Sequence, residues 1–373
     1  MKGVIVGYGS IGPLHCSKLR QLEIQVGVVD INPQRRAQAL ADGAVPFSSV
    51  AEAAACQPDF WNVCVGTPDH LSVIESIVDL MPDTCIIVEK PICLHAQLDE
   101  LQRVLSRFHG KVCINENYYA SRITQLVRRI ACYQLQLEVH RVVVEMTKNR
   151  EHDFARGRFL DLEGGAIKYE GTHMLAVLED LDQRFLPSEI EEAHSTHAMI
   201  PGQDGPHLLA HQGSADYRCR TAERIEVLLH SSMTGQVRHP YPPYGVDAIP
   251  LGSQVRHRVL AVHGRDADDQ DVTVVGFYEP LDQMPRGHGA VAFIRNGTLH
   301  RVVAPIADDH MLAQLARGLA YFRGQSPNPC SVEAAVRTTR LLHALGQAAT
   351  ASTQTTAAWN QQPLTGRSTV KSC

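Results

Sequence analysis

The chain has 373 residues, 44% of them apolar and 20% charged, and its 35 basic and 40 acidic residues give a net charge of -5. That composition predicts a soluble protein of two domains, three at most, and it lacks the basic footprint that nucleic acid selects. No run approaches the ~18 apolar residues of a membrane span, and MKGVIVGYGSIG enters a strand with no secretory leader, so a cytoplasmic protein is expected.

Residues 2 to 6, KGVIV, read as a short buried strand that runs into GYGSIG, where Gly7, Gly9 and Gly12 stand at G-x-G-x-x-G spacing. Leu14 to Leu22 follow as a helix. IQVGVVD then reads as a second strand ending at Asp30, 18 residues past Gly12. Strand, glycine turn, helix, strand and terminal acid are the context of a dinucleotide-binding turn. Gly7 allows the tight turn, Gly9 lets the backbone approach a pyrophosphate, and Gly12 permits close helix–strand packing. Tyr8, Ser10 and Ile11 complete the turn. The pyrophosphate is expected at the helix N-terminus, where unpaired N–H groups and the dipole favour negative charge. Asp30 takes the ribose hydroxyls and repels a 2′-phosphate, which favours NAD over NADP. Arg35 and Arg36 read as surface arginines of the next helix.

The alternation continues with strands at FWNVCVGTP, TCIIVEKP and KVCINENYY and helices at DHLSVIESIVDL and LDELQRVLSRFHG. Such βαβ repetition predicts a doubly wound parallel sheet. Ligands bind beyond the carboxyl ends of such strands. One crevice should therefore collect Gly7 to Gly12, Asp30, Gly66 to His70 with Thr67 and Pro68, Glu89 to Pro91, and Glu116 to Tyr119 with Asn117. In IIVEKPICLH the strand delivers Lys90 to that crevice, an unusual place for an idle surface lysine. A carbinol loses hydride only as its hydroxyl proton departs, and a partly desolvated lysine can manage that proton. Glu89 is expected to orient the lysine or touch the nicotinamide side.

After residue 120 the pattern changes. Residues 121 to 136 read as a helix and LEVHRVVVEMTK as a long strand. YRCRTAERIEVLLHSS, QVRHRVLAVHGRD, DQDVTVVGFYE and GAVAFIRNGTLHRVVA read as further strands, with Asn296-Gly297 a hairpin turn. This predicts an antiparallel sheet. GQDGPHLLAHQG reads as loop, so His207 and His211 are not expected to hold a metal, and no metal site is assigned. RHPYPPYGVDAIP is a Pro/Tyr loop that covers the site or joins a subunit contact. DDHMLAQLARGLAYFRG and SVEAAVRTTRLLHALGQAA return to helix, and residues 351 to 373 form a tail. The ten cysteines include no C-x-x-C pair and sit in apolar runs, as reduced, buried thiols do.

One helix in this half carries chemistry. RFLDLEGGAIKYEGTHMLAVLEDL places Lys168, Tyr169, Glu170 and His173 behind Gly164-Gly165, with 169 and 173 on one face, as are 170 and 173. Lys90, Tyr119, Arg122, Lys168, Glu170 and His173 are the expected substrate contacts. Taken alone, His173 reads more readily as a core histidine or a polar residue of the helix face. Upstream, TKNREHDFARGRF, with Lys148, Arg150, Asp153, Arg156 and Arg158, is either a solvated loop or a cavity lining.

In this order the glycine turn, the acid-ended second strand, TPDH, EKP and a glycine-led helix with GTH resemble the Gfo/Idh/MocA family of NAD(P)-dependent oxidoreductases, which includes glucose–fructose oxidoreductases and inositol dehydrogenases. The resemblance covers about residues 1 to 350. It implies a Rossmann domain over 1–119, an α/β domain over 120–350 whose open, mostly antiparallel sheet makes a homodimer or homotetramer, and a tail over 351–373. It implies NAD as cofactor and hydride transfer at a hydroxyl or keto carbon of a sugar, cyclitol or sugar nucleotide, with neither nucleic acid nor membrane as partner. It makes Lys90 the catalytic lysine, often before a cis proline, and His173 the catalytic histidine. The family's aspartate, four residues before that histidine, is Tyr169 here, and the nearest acid is Glu170. Either Tyr169 takes an acid/base role beside Lys90, or Glu170 substitutes, or the chemistry differs. A catalytically weak NAD-binding regulator and an imine or double-bond reductase are the competing readings.

Overall fold

Short β-branched runs build the first half of the chain. Lys2–Val6 (β1), Gln25–Val29 (β2), Val45–Phe47 (β3), Phe60–Val63 (β4), Cys85–Glu89 (β5) and Lys111–Asn115 (β6) pair in parallel in the order β3-β2-β1-β4-β5-β6. Gly12–Gln21 (α1), Pro33–Ala41 (α2), Val50–Ala54 (α3), His70–Leu80 (α4) and Leu98–Leu105 (α5) are the crossovers. Val4, Ile5, Val6, Phe60, Trp61 and Val63 are all buried, as strands covered on both faces must be. Strand order reverses between β1 and β4, so the binding crevice opens where their carboxyl ends diverge, at Gly7 and Val65. The computed structural model describes residues 1–151, 153, 165–202, 205–242, 256–280 and 284–352. Arg156, Arg158, Gly164, the 243–250 part of the Pro/Tyr stretch and 353–373 of the expected tail lie outside them.

The second half is a nine-stranded sheet ordered β14-β13-β12-β11-β7-β10-β9-β8-β15. Its strands are Glu138–Lys148 (β7), Glu189–Gly202 (β8), Gly205–Arg220 (β9), Glu226–Ser232 (β10), Arg256–Arg265 (β11), Asp271–Phe277 (β12), His288–Arg295 (β13), Thr298–Ala307 (β14) and Thr350–Ser352 (β15). Only β7–β10 and β8–β15 pair in parallel. Asn296 (φ 49) and Gly297 (φ 75) turn β13 into β14 as the sequence predicts. Most of GQDGPHLLAHQG is not a loop: Gly202 ends β8 and residues 205–213 run along β9, because a long partner strand outweighs local turn composition. YRCRTAERIEVLLHSS is the end of β9 and all of β10, split by a turn in which Arg224 adopts φ 65.

Arg122–Arg128 (α6) and Gly165–Leu181 (α7) cover one face of this sheet. Met174, Leu175, Val177, Leu178 and Leu181 of α7 pack on Val142, Val144 and Met146 of β7 and on Val227 and Leu229 of β10. Each such side chain contributes roughly 1.5–3 kcal/mol by leaving water. His310–Phe322 (α8) and Val332–Ala348 (α9) return to the parallel sheet, where Leu315 and Leu319 meet Ile5, Leu19 and Ile87. Lys111 Nζ fastens the end of α8 through the carbonyls of Tyr321 (3.0 Å) and Phe322 (3.1 Å). This return lays α7 across the carboxyl ends of β5 and β6.

All nine described cysteines are free thiols; six are buried, and Cys56 is exposed, against the expectation for it. Among the described residues no helix is long and apolar enough to cross a membrane.

Candidate active site

The glycine turn is shaped for a phosphate. Gly7 adopts φ 98, and a Cβ there would lie 2.8 Å from the Val65 nitrogen. A Cβ at Gly12 would lie 2.4 Å from the Gly7 carbonyl oxygen, so α1 starts pressed against the turn. At Gly9 the nearest atom to a Cβ would be Arg35 Nη1 at 3.7 Å, which leaves that backbone open to a ligand. No side chain caps α1, so its first N–H groups remain available to an anion. These features fit a dinucleotide. Ser10 is exposed and Ile11 half-buried at its lip. Tyr8 contributes backbone rather than ring: the ring is buried, its hydroxyl donates to Asp42 (2.7 Å), and its N–H donates to Asp30 Oδ2 (2.7 Å). Asp30 Oδ1 accepts the Asn32 N–H (2.8 Å), and Arg35 Nη1 lies 3.7 Å from Asp30 Oδ2.

Two expected cofactor contacts are spent inside the protein. His70 is buried between the Pro91 carbonyl (2.9 Å from Nδ1) and the Val65 carbonyl (3.2 Å from Nε2), and its neutral ring donates to one of the two. Burial holds its ring below the ordinary histidine range. Glu89 faces the core rather than the nicotinamide side. It accepts from His15 Nε2 (2.9 Å) and from Asn115 Nδ2. Burial opposes its charge, yet those hydrogen bonds hold it below the usual carboxylate range. His15, fully buried on α1, also reaches Asn62 (2.8 Å) and Cys64 (3.4 Å) through Nδ1, so one ring links α1 to β4, β5 and β6. Thr67 and Pro68 lie in a 3-10 turn at the end of β4, Thr67 half-buried and Pro68 exposed. Asn117, just past β6, keeps a buried Oδ1 with no partner among the described residues.

Lys90 precedes a cis proline, and its Nζ donates to the Tyr169 carbonyl (3.3 Å). The backbone of Tyr169, rather than its phenol, thus meets the lysine, and the Tyr169 ring lies on the Arg150 guanidinium (4.6 Å). Glu170 does not replace the family's aspartate. It is buried between Arg150 Nη2 (2.5 Å) and Arg258 Nη2 (2.8 and 3.0 Å). Burial opposes its charge, but the two guanidiniums hold the carboxyl far below the usual range, so it carries no proton at working pH.

The acid beside His173 comes from elsewhere in the chain. His173 Nδ1 donates to Glu116 Oε1 at 2.7 Å, and Glu116 stands just past the end of β6. The Tyr118 ring packs on the imidazole, 4.9 Å between centroids. Burial, helped by the Lys90 charge, outweighs Glu116 and holds His173 below the ordinary histidine range, so it is neutral near pH 7. Nε2 has no hydrogen-bond partner among the described residues. The sequence signal was present: Glu116 is a strand-end acid in the predicted crevice, but only the fold joins it to a helix 57 residues on.

The remaining expected substrate contacts divide. Lys168 is half-buried on α7. The Tyr119 ring borders the space beside Lys90, but its hydroxyl donates to Glu179 (2.8 Å). Arg122 is a structural anchor: its N–H donates to Asp308 (2.9 Å) and its exposed guanidinium to the Ala307 carbonyl (3.3 Å). Among the described residues no cluster of histidine, cysteine and carboxylate has metal-binding geometry.

Residues 1–116 match the sequence model of the Gfo/Idh/MocA oxidoreductase family, described as having an NAD-binding Rossmann fold. No curated protein sequence matches the chain. Among solved structures it resembles UDP-N-acetylglucosamine 3-dehydrogenase from Acidithiobacillus ferrooxidans, with a TM-score of 0.67 and 17% identity over 94% of this chain and 97% of that one. A dehydrogenase from Bordetella pertussis, in complex with NADH and UDP-GlcNAcA, gives a TM-score of 0.66 and 15% identity over 94% of this chain and 96% of that one. A 3-ketoreductase variant from Actinomadura kijaniata, in complex with TDP-benzene and NADP, gives 0.69 and 13% over 94% and 98%. At these identities the likeness is one of fold.

Proposed function

Since residues 1–116 belong to the Gfo/Idh/MocA family of NAD-binding oxidoreductases, we propose that this oxidoreductase moves a hydride between NAD and a hydroxyl or keto carbon of a sugar, with sugar nucleotides the first class to test and cyclitols the next. The observation that carries this reading is the meeting of Lys90 with the Glu116–His173 pair at the carboxyl edge of the sheet that bears the glycine turn. When bound, the nicotinamide accepts or supplies the hydride. The chain's own residues handle the proton. Neutral His173, its Nδ1 proton held by Glu116, takes the carbinol proton at Nε2, and the Lys90 ammonium stabilises the oxygen as negative charge grows there. In the ketone-reducing direction the same groups act in reverse. The solved structures bound to UDP-GlcNAcA and to TDP-benzene support a nucleotide-linked substrate.

The test is NAD reduction, followed by absorbance, across sugar nucleotides, free sugars and cyclitols. Turnover of at least one is expected. Tight NADH binding with no turnover on any of them would favour a non-catalytic cofactor binder instead.

The preference for NAD is the finer part of the reading. A buried Asp30 carboxylate repels a 2′-phosphate, against two nearby cations, Arg35 beside its carboxylate (3.7 Å) and Arg36 on its carbonyl (2.8 Å). Asp30→Asn keeps an acceptor for the Tyr8 N–H and removes the charge. It should raise the NADP-to-NAD ratio of kcat/KM by about tenfold, roughly 1.4 kcal/mol. An unchanged ratio refutes the role given to Asp30.

A further inference from the structure

One histidine of the glycine-turn helix is spent on the strand that carries Lys90. His15 is fully buried on α1, the helix whose uncapped N-terminus faces the dinucleotide site. Its Nε2 lies 2.9 Å from Glu89 Oε1, and a ring nitrogen that close to a carboxylate carries its proton, so it donates. Asn115 Nδ2 donates to the same oxygen. On the other side of the ring, Nδ1 lies 2.8 Å from Asn62 Nδ2 and 3.4 Å from Cys64 Sγ, which fixes the imidazole between α1 and the sheet. Glu89 is the last residue of β5, and Lys90 follows it directly. The Glu89 side chain is drawn into the core, while Lys90 reaches the Tyr169 carbonyl at the crevice. Burial opposes the Glu89 charge, and the hydrogen bonds from His15 and Asn115, then the charge of Lys90, sustain it.

We propose that His15 is a positioning residue for Lys90: by holding the Glu89 carboxylate in the core, it keeps that anion off the neighbouring ammonium and leaves the ammonium at the crevice. Without the Nε2 donor, Glu89 retains Asn115 as its hydrogen-bond donor, and an under-bonded buried carboxylate is costly. It then turns outward to Lys90, the other cation whose charge it feels, and draws the ammonium away from the Tyr169 carbonyl into an ion pair. In this arrangement α1 serves the site twice. Its N-terminus faces the dinucleotide phosphates, and His15, about one turn further on, sets the lysine. The hold on Glu89 follows from the contacts alone; its consequence for turnover rests on the role given to Lys90 above.

The experiment is a double-mutant cycle. His15→Met removes the donor at similar volume, His15→Gln keeps an amide donor for Glu89, and Glu89→Gln removes the charge that would compete for Lys90. His15→Asn, which ends short of Glu89 but still meets Asn62, takes the place of His15→Met if that variant does not fold. The first readout needs no sugar substrate: the reactivity of the Lys90 amine toward an acid anhydride, followed against pH by mass spectrometry. Pairing with Glu89 holds the ammonium, so the midpoint should rise by about half a pH unit or more from wild type to His15→Met. It should return in His15→Gln, and in the Glu89→Gln background His15→Met should leave it in place. His173 and Glu170, which also feel the Lys90 charge, are unchanged in every variant. The second readout is turnover of the substrate that the panel identifies. His15→Met should lower kcat by about 10–100-fold with KM within about threefold, and by under about threefold when Glu89 is already Gln. A purely structural histidine costs the same in both backgrounds. A midpoint that is unchanged or lower in His15→Met, or an equal loss of kcat in both backgrounds, overturns the proposal. A panel without turnover sinks the proposed function and leaves the lysine reactivity to decide this one.

Discussion

Lys90→Met should lower kcat by about 10²–10⁴-fold, with NADH affinity within about threefold of wild type. Methionine keeps much of the apolar stem and removes the ammonium, so the contact to the Tyr169 carbonyl and the charge beside the reacting oxygen are lost together. The measurement is steady-state kinetics on the substrate that the panel above identifies, with NADH binding followed by fluorescence. Full kcat in Lys90→Met would remove the lysine from the chemistry. The partner group is read from pH dependence. His173 sits below the ordinary histidine range because burial and Lys90 disfavour its charge. As the base for alcohol oxidation it is competent while neutral, so kcat should hold through neutral pH and fall only as pH drops below about 6.5. Glu116 favours the imidazolium, so Glu116→Gln should move that acid limb to still lower pH and reduce kcat about 10–100-fold. An acid limb that stays in place in both His173→Gln and Glu116→Gln would assign the base to another group, with Tyr169 the next to test.

Glu170→Ala should destabilise the protein by about 3–5 kcal/mol, seen as a loss in chemical-denaturation midpoint and a fall in Tm on the order of ten degrees. The reason is the pair of guanidiniums it leaves behind. Arg150 and Arg258 are both buried, and Glu170 is the anion they share. Arg258 keeps its hydrogen bond to Tyr118 (2.9 Å) and its ion pair with Glu279 (3.5 Å), so the site is weakened rather than emptied of partners. The pH signature has a definite sign. Glu170 is depressed in the folded state, so its contribution is complete above the unfolded carboxylate pKa of about 4.3 and is lost as pH falls below that. The stability gap between wild type and Glu170→Ala should therefore be constant from neutral pH to about 5 and narrow in stronger acid. A gap under about 1 kcal/mol at pH 7 would mean that the arginines find other partners. The clamp also bears on catalysis. Glu170 neighbours Tyr169, whose carbonyl receives Lys90, so a loosened α7 should misplace the lysine as well.

Much of the architecture was legible because it is local. Gly7, Gly9 and Gly12 at fixed spacing, a strand before them and a helix after them are neighbours in the chain, and each has a steric reason to be glycine. Asn296-Gly297 marked a hairpin for the same reason: two residues at positive φ suffice to define it. The start of β9 escaped notice because GPHLLAHQG follows a segment of turn composition, while its strand character comes from pairing with β8. EKP placed Lys90 correctly at the end of β5, since strand ends in a parallel sheet share one edge.

The partner of His173 was a different kind of question. Residues 169 and 170 share a helical face with 173, so spacing alone favoured a local acid or phenol. The fold turned Glu170 into a structural ion pair with Arg150 and Arg258 and brought in Glu116. His15 and Glu89 show the same division, since the sequence marks each as polar in an apolar run and only packing joins them. What this chain determined by itself was its parallel sheet, its glycine turn and the delivery of Lys90, all set by periodicity and steric rules over a few residues. Which carboxylate meets His173 and which clamps two arginines was decided by tertiary structure, because a carboxylate's charge and proton affinity depend on what surrounds it, and those surroundings come from elements far apart in the chain.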